Sequence, residues 1–276
     1  LEKLRADGFC LIRGTGMDQA VCQRALIATN SFLQQADERV RRACLAPDRA
    51  RRGYSPLNVE NFASLVGEHA PNDLVRKFRM GPDDGTNSLR QPNMWPSTEL
   101  WREAEDFRDA VETYYTAACV AAQLVVRAIC DGLLLQDPEL ASKLKPFHST
   151  SGSSPCEMTS ILTLLGYRAG TRHKGKNKGP LVAAHTDVGV ITVLLFDGAD
   201  TCAKLQRSDG HGGWIDVDLP KTVPDDPIFA VNVADCFSEL CEGKIQSTLH
   251  RVVATTQSNV PRNCCALFVG LEPDAE

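Results

Sequence analysis

The sequence predicts an α+β protein: a mainly helical N-terminal region, residues 1–150, with one long supporting helix, packs on a jelly-roll core, a double-stranded β-helix over residues 151–276. Three observations carry that expectation. The chain has 276 residues, 43% hydrophobic and 24% charged, ordinary for a large globular unit with a substantial core. At Ser149 to Pro155 the composition turns to Ser, Gly and Pro, and helical spacing of apolar residues gives way to short β-branched runs. Eight such runs follow, separated by turn residues: Met158 to Arg168, Leu181 to Ala184, Val190 to Phe196, Ala203 to Arg207, Trp214 to Val217, Ile228 to Val233, Thr248 to Thr255 and Asn263 to Gly270.

Upstream, Leu1 to Ala6 reads as the end of a helix and Gly8 to Arg13 as a short strand. Asp18 is placed to N-cap a helix to about Val40, with Val21, Ala25, Leu26, Phe32 and Leu33 near helical spacing. Arg39 to Arg52, rich in arginine and interrupted by Pro47, reads as a solvated loop. Asp73 to Met80 alternates as a strand with Phe78 and Met80 on one side and Lys77 and Arg79 on the other. Arg79 is a candidate for holding an acidic substrate group, against the plainer reading of a surface arginine. Ser97 or Thr98 caps the longest helix, to about Ile129, whose apolar stripe reads as scaffold packing. Asp137-Pro138 opens another helix.

A net charge of −5 and a pI near 5.7 give no basic field for nucleic acid or an anionic membrane, so a small-molecule substrate is expected. The longest nearly uncharged stretch, Thr113 to Val126, falls short of the roughly 20 residues that span a bilayer. No secretory leader is visible, and eleven scattered cysteines without a CxxC pair read as reduced thiols of a cytoplasmic protein. Of Cys264-Cys265, one should face the core. Gly170 to Lys176 fits the phosphate-loop pattern GxxxxGK, but Asn177 replaces the magnesium-binding hydroxyl and Gly179-Pro180 forbids the following helix, which leaves a basic loop. His173 and His211, in Gly-rich turns, read as exposed.

One cluster stands apart. His185 and Asp187 are two residues apart at the start of an apolar run, so on an extended chain both side chains leave one face. His250 returns in another strand-like run, and two histidines with one carboxylate are the ligand set of non-haem Fe(II) oxygenases. A lone His-x-Asp is more often an exposed pair or a satisfied core histidine; the context decides.

That context resembles a family. Ile161 to Tyr167, His185 to Leu195, Leu205-Gln206, Gly212-Gly213-Trp214-Ile215, Val231-Asn-Val-Ala-Asp235, Ser247 to Val252 and Arg262-Asn-Cys264 stand in the order of blocks found in the isopenicillin N synthase-like, plant-type 2-oxoglutarate and Fe(II)-dependent oxygenases. Asp7-Gly8-Phe9, Arg52-Gly53-Tyr54, Pro71-Asn72-Asp73 and Asn93-Met94-Trp95-Pro96 are similar to the family's earlier segments. The resemblance implies Fe(II) on His185, Asp187 and His250, with 2-oxoglutarate as co-substrate and its far carboxylate on Arg262. It leaves room for ascorbate as an ancillary reductant. Where the family has Arg-x-Ser, this chain has Cys264, a poorer donor than a hydroxyl. Tyr167 aligns within one residue with a tyrosine that helps hold co-substrate or substrate, and reads equally well as a core aromatic. The implied activity couples oxidative decarboxylation of 2-oxoglutarate to oxidation of a substrate C–H bond by dioxygen, with hydroxylation the usual outcome. Two readings stay open beside it: an oxidase of the isopenicillin N synthase or aminocyclopropane carboxylate type, and a non-catalytic small-molecule sensor on the same fold.

Overall fold

The computed structural model describes residues 1–47, 52–67, 69–83, 91–136, 139, 159–173, 179–198, 200–218, 226–256 and 258–270. In chain order the elements are α1 (Glu2–Asp7), β1 (Phe9–Ile12), α2 (Gln19–Asn30), α3 (Glu38–Ala43), β2 (Gly53–Ser55), β3 (Arg76–Met80), α4 (Ala104–Gln136), β4 (Ile161–Tyr167), β5 (Val182–His185), β6 (Ile191–Phe196), β7 (Ala203–Ser208), β8 (Trp214–Asp216), β9 (Phe229–Val233), α5 (Asp235–Leu240), β10 (His250–Ala254) and β11 (Arg262–Phe268). All eight runs expected in the second half are strands, and the chain switches repeatedly between two antiparallel sheets. The major sheet runs β1-β9-β6-β11-β4-β3-β2 and the minor sheet β5-β10-β7-β8, the jelly-roll arrangement.

The major sheet is covered on both faces, which is why its central strands are apolar runs without polar alternation: β6 buries all its residues. One face packs on α2 and α4 through Phe78, Leu162, Leu164, Val193, Val231, Cys265 and Leu267; the other meets the minor sheet through Tyr167, Leu194, Phe196, Cys264 and Ala266. Both cysteines of the Cys264-Cys265 pair are therefore buried, in two different cores. The N-terminal region supplies more than helices, because β1, β2 and β3 extend the major sheet at its two edges.

Several local expectations are corrected. The helix expected from Asp18 to Val40 is capped by Asp18 but gives way after Asn30 to a wide π-helical turn, Ser31–Gln35, and restarts with Asp37 as the N-cap of α3. The carbonyls left free by that wide turn explain the arginines that follow. Arg41 donates to Phe32 O and Ala36 O and Arg76 donates to Leu33 O, so buried Arg41 and the likewise buried Arg52 do not belong to a solvated loop. α4 starts at Ala104, later than Ser97, and runs beyond Ile129. It contains a stretch, Ala104–Leu133, apolar and long enough to cross a membrane by composition, but Val111, Tyr114, Ala118, Ala122 and Leu133 are sealed in the helix-side core. His173 is half-buried, its ring bonded to Pro180 O, while His211 is exposed. The helix at Asp137-Pro138, the Ser149 to Pro155 boundary and residues 174–178 of the basic loop lie outside the described residues. None of the ten described cysteines forms a disulfide.

Gly8 joins α1 to β1 in the left-handed region, φ 60°, and a Cβ there would overlap the Thr248 side chain, whose hydroxyl donates to Asp7 O. Gly8→Ala is expected to cost about 2–4 kcal/mol in denaturant melts, since strain and overlap add, whereas Gly14→Ala, with φ 74° but open space around it, should cost about 1 kcal/mol.

Candidate metal centre and active site

The β5–β10 ladder sets His185 directly opposite His250, with ring centroids 4.4 Å apart. Each imidazole donates Nδ1–H to the backbone carbonyl two residues before it, His185 to Ala183 O at 2.8 Å and His250 to Thr248 O at 3.0 Å. That bond fixes the tautomer and turns both Nε2 lone pairs into the space between the sheets. Aromatic rings hold the orientation: Phe62 stacks on His185 at 4.5 Å, and Phe9 meets His250 edge-on at 5.7 Å.

Asp187 reaches the same space by another route than strand alternation, because β5 ends at His185 and the carboxylate rises from the following turn. The turn is moored on the start of α5, where Asp235 N–H donates to Asp187 O and Cys236 N–H to Val188 O and Gly189 O; Thr186 Oγ1 donates to Asp235 Oδ2. Gly189 packs so closely on Val269 O that a Cβ would collide with it. The carboxylate itself is oriented by two neutral donors, Thr192 Oγ1 at 2.5 Å and Asn232 Nδ2 at 2.8 Å, both on Oδ2. Oδ1 is left facing the imidazoles, 3.9 Å from His185 Nε2 and 3.8 Å from His250 Nε2. Burial works against the charged carboxylate, but the two imidazoles, the hydroxyl and the amide together hold Asp187 below the usual range. Burial, reinforced by His250, keeps His185 neutral, the form that offers a lone pair.

The ligating atoms of His185, Asp187 and His250 all lie within 4.8 Å of one another, and the three are buried. Two nitrogens and one oxygen on one side of an open space fit Fe(II). The cavity on that side runs to Arg262, with Tyr167, Leu194, Leu205 and Cys264 along its walls. Arg262 is 4% exposed, lies 4.4 Å above the Phe196 ring, donates Nε–H to Cys264 Sγ at 3.3 Å and makes a long contact from Nη1 to Ala203 O at 3.5 Å. Among the described residues no carboxylate lies within ion-pairing distance of it; the charge of Asp197 is felt by Arg262, but its oxygens are bonded to Asn263. A sealed guanidinium with no directly bonded carboxylate among the described residues is suited to a carboxylate brought by a ligand. Asn263 fixes the start of β11 through Asp197, Asn30 and Gln34, and so aims Arg262 inward. A roomier groove of about 800 Å³ near Arg24, Trp101 and Asp197 is open to solvent and does not reach the histidines.

Arg79 is neither at the surface nor free for an acidic substrate: it is engaged with both oxygens of Glu60 at 2.6 Å. Thr192 and Asn232 carry no prediction from the sequence. Their signal is a single polar residue inside each of two otherwise apolar strands, Ile-Thr-Val-Leu-Leu-Phe196 and Phe-Ala-Val-Asn-Val233. Lys77 lies on the side of β3 that the alternation predicts, but the sequence suggests no role for it.

Comparison with known proteins agrees with this geometry. Residues 143–270 match the 2OG-Fe(II) oxygenase superfamily and residues 2–98 the N-terminal region described as "non-haem dioxygenase in morphine synthesis". A homoarginine-6-hydroxylase of Arabidopsis thaliana is 25% identical over 98% of this chain and 68% of its own length; a proline hydroxylase of Petromyces alliaceus is 27% identical over 89% and 70%. A full-length Neurospora crassa protein crystallised in complex with alpha-KG superposes with a TM-score of 0.73 at 21% identity, covering 98% of this chain and 77% of that one. The chain belongs to the 2OG-Fe(II) oxygenase superfamily and is a 2-oxoglutarate- and Fe(II)-dependent dioxygenase.

The donors around Asp187 can be tested directly. Asn232→Ala leaves every ligand atom in place but frees Asp187 to turn, so Fe(II) affinity measured by anaerobic titration should fall about 10–100-fold. The Glu60 latch is acid-sensitive. Burial alone would raise its carboxyl, but the bonds from Arg79 and Lys77 hold it well below 4.5, so its contribution is present above that pH and is lost as pH falls below it. Glu60→Gln should be less stable than wild type in urea at neutral pH, and the gap should narrow progressively as pH falls below about 5.

Proposed function

We propose that the protein hydroxylates a small molecule, with Fe(II) held by His185 Nε2, Asp187 Oδ1 and His250 Nε2 and with the far carboxylate of 2-oxoglutarate on Arg262. The observation that carries this reading is the pairing, in one cavity, of an open His-Asp-His face with a buried guanidinium that has no carboxylate within ion-pairing distance among the described residues. When bound, the iron and 2-oxoglutarate supply the redox chemistry, decarboxylation to succinate and CO2 coupled to activation of dioxygen. The chain's own part is binding, orientation and exclusion of water. Cys264 Sγ accepts a hydrogen bond from Arg262 Nε–H, which leaves the two terminal nitrogens to form a two-pronged contact. Burial pushes the Tyr167 hydroxyl well above its usual range, so it stays a neutral donor on the cavity wall. Phe9, Leu205 and Val252 keep the cavity apolar. The relatives named as hydroxylases of homoarginine and proline support hydroxylation of a small molecule. Ten described cysteines outside any disulfide support a reducing, cytoplasmic setting.

The test is titration of 2-oxoglutarate into anaerobic Fe(II) protein, followed by the charge-transfer band of a chelated keto acid. Arg262→Leu should raise the dissociation constant roughly 30-fold or more without loss of Fe(II), because a charge-assisted contact worth about 2–5 kcal/mol disappears. Cys264→Ser should bind equally well or slightly tighter. Wild-type protein that takes up Fe(II) but shows no band at millimolar 2-oxoglutarate would return the reading to an oxidase that does not use it.

A further inference from the structure

Beyond the metal and co-substrate groups, the cavity wall carries one more charged side chain. Lys77 pairs with Leu165 of β4, which pairs in turn with Cys264, so the three share one inward-facing row of the major sheet. Lys77 is 1% exposed and lines the cavity together with His185 and Arg262. Its ammonium lies 3.9 Å from the centre of the Phe62 ring, the ring that stacks on His185. Lysine is seldom buried so deeply, because an ammonium out of water needs compensation.

The compensation stands behind the wall. Glu60 Oε2 accepts from Lys77 at 2.8 Å and Asp73 Oδ2 is 3.7 Å away, and neither residue lines the cavity. Neither carboxylate depends on Lys77 for its place. Arg79 engages both oxygens of Glu60, and Asp73 accepts the backbone N–H groups of Phe62 and Ala183 at 3.1 and 3.3 Å. Burial takes Lys77 down to about 8 against the pull of Glu60, so the ammonium is retained at neutral pH. Of its three N–H groups, Glu60 takes one at hydrogen-bonding distance, and the side facing Phe62 and the cavity meets a π-face.

We infer that Lys77 anchors the substrate, and that this substrate carries a carboxylate which docks on the Lys77 ammonium beside Phe62. The inference rests on the oxygenase reading above and narrows its substrate class. Thr192 and Asn232 are spent on Asp187, and Arg262 is assigned to the co-substrate, so Lys77 is the remaining charged donor on a wall otherwise made of groups such as Phe9, Val182 and Phe268. A cationic substrate group would meet a like charge there. A wholly apolar substrate would leave the N–H groups of Lys77 that Glu60 does not take without an acceptor on the cavity side.

The experiment uses protein loaded with Mn(II) and 2-oxoglutarate and titrates matched acid and amide probes by calorimetry: propionate with propionamide, benzoate with benzamide, and N-acetyl-L-proline with its amide. At least one acid should bind about tenfold or more tightly than its amide, Lys77→Met should abolish that preference, and Lys77→Arg should restore part of it. The 2-oxoglutarate affinity of both variants should stay within about threefold of wild type, since Arg262 is untouched. Equal binding of every acid and amide by wild type overturns the inference without recourse to any variant, which covers the case in which Lys77→Met does not fold. A preference that survives in folded Lys77→Met overturns it as well, and loss of 2-oxoglutarate from that variant would reassign Lys77 to the co-substrate. Failure of wild type to take up Mn(II) and 2-oxoglutarate at all would instead remove the oxygenase reading beneath it, and the inference with it.

Discussion

A carboxylate sealed from water between two imidazoles is costly unless its second oxygen is occupied, and in this protein Asp187 Oδ2 is occupied by Thr192 and Asn232. Those two residues are direct cross-strand partners on β6 and β9, as His185 and His250 are on β5 and β10. Two in-register pairs, one from each sheet, thus face each other with the Asp187 turn between them. Backbone ladders set the spacing within each pair, so the geometry of the ligand set is inherited from sheet register and does not rest on flexible side chains.

The same register explains how the cavity acquires its two ends. Along β11 the inward residues are Arg262, Cys264, Ala266 and Phe268, a progression from a guanidinium at one end to an aromatic ring opposite Thr192 at the other. The outward residues Cys265 and Leu267 lie in the helix-side core against α2 and α4. The helices hold flat, from outside, the sheet whose inner face binds. Gln34, at the end of the π-helical turn, reaches both Tyr167 O and Asn263 Oδ1, which ties that turn to the strand carrying Arg262.

Much of this was legible in the sequence. The eight C-terminal strands show themselves because each is a short apolar or alternating run closed by turn residues, and the three ligands because the blocks around them stand in the order of the family they resemble. What was not legible depends on long-range partners. Nothing local to Asn232 or Thr192 says that a carboxylate will rest on them, and nothing in Arg39 to Arg52 says that Arg41 will cap carbonyls of a widened turn. Arg79 was misjudged because its partner, Glu60, lies in a loop whose docking on β3 is set by tertiary contacts. Asp187 arrived at the expected place by an unexpected path, since a turn anchored on α5 does the work that strand alternation was expected to do.

The pairing of the first strand with the ninth has a temporal side. Phe9 sits opposite Asn232 in the ladder and meets the His250 ring edge-on, so a residue of β1 closes over a ligand that comes far later in the sequence. During synthesis no complete ligand set exists until the chain beyond residue 250 has left the ribosome and β10 has paired with β5. Contacts of such sequence separation form late and slowly. Because its ligands come from segments far apart in sequence, the site is complete only once β5 and β10 have paired, unlike the local site on which a small zinc finger folds.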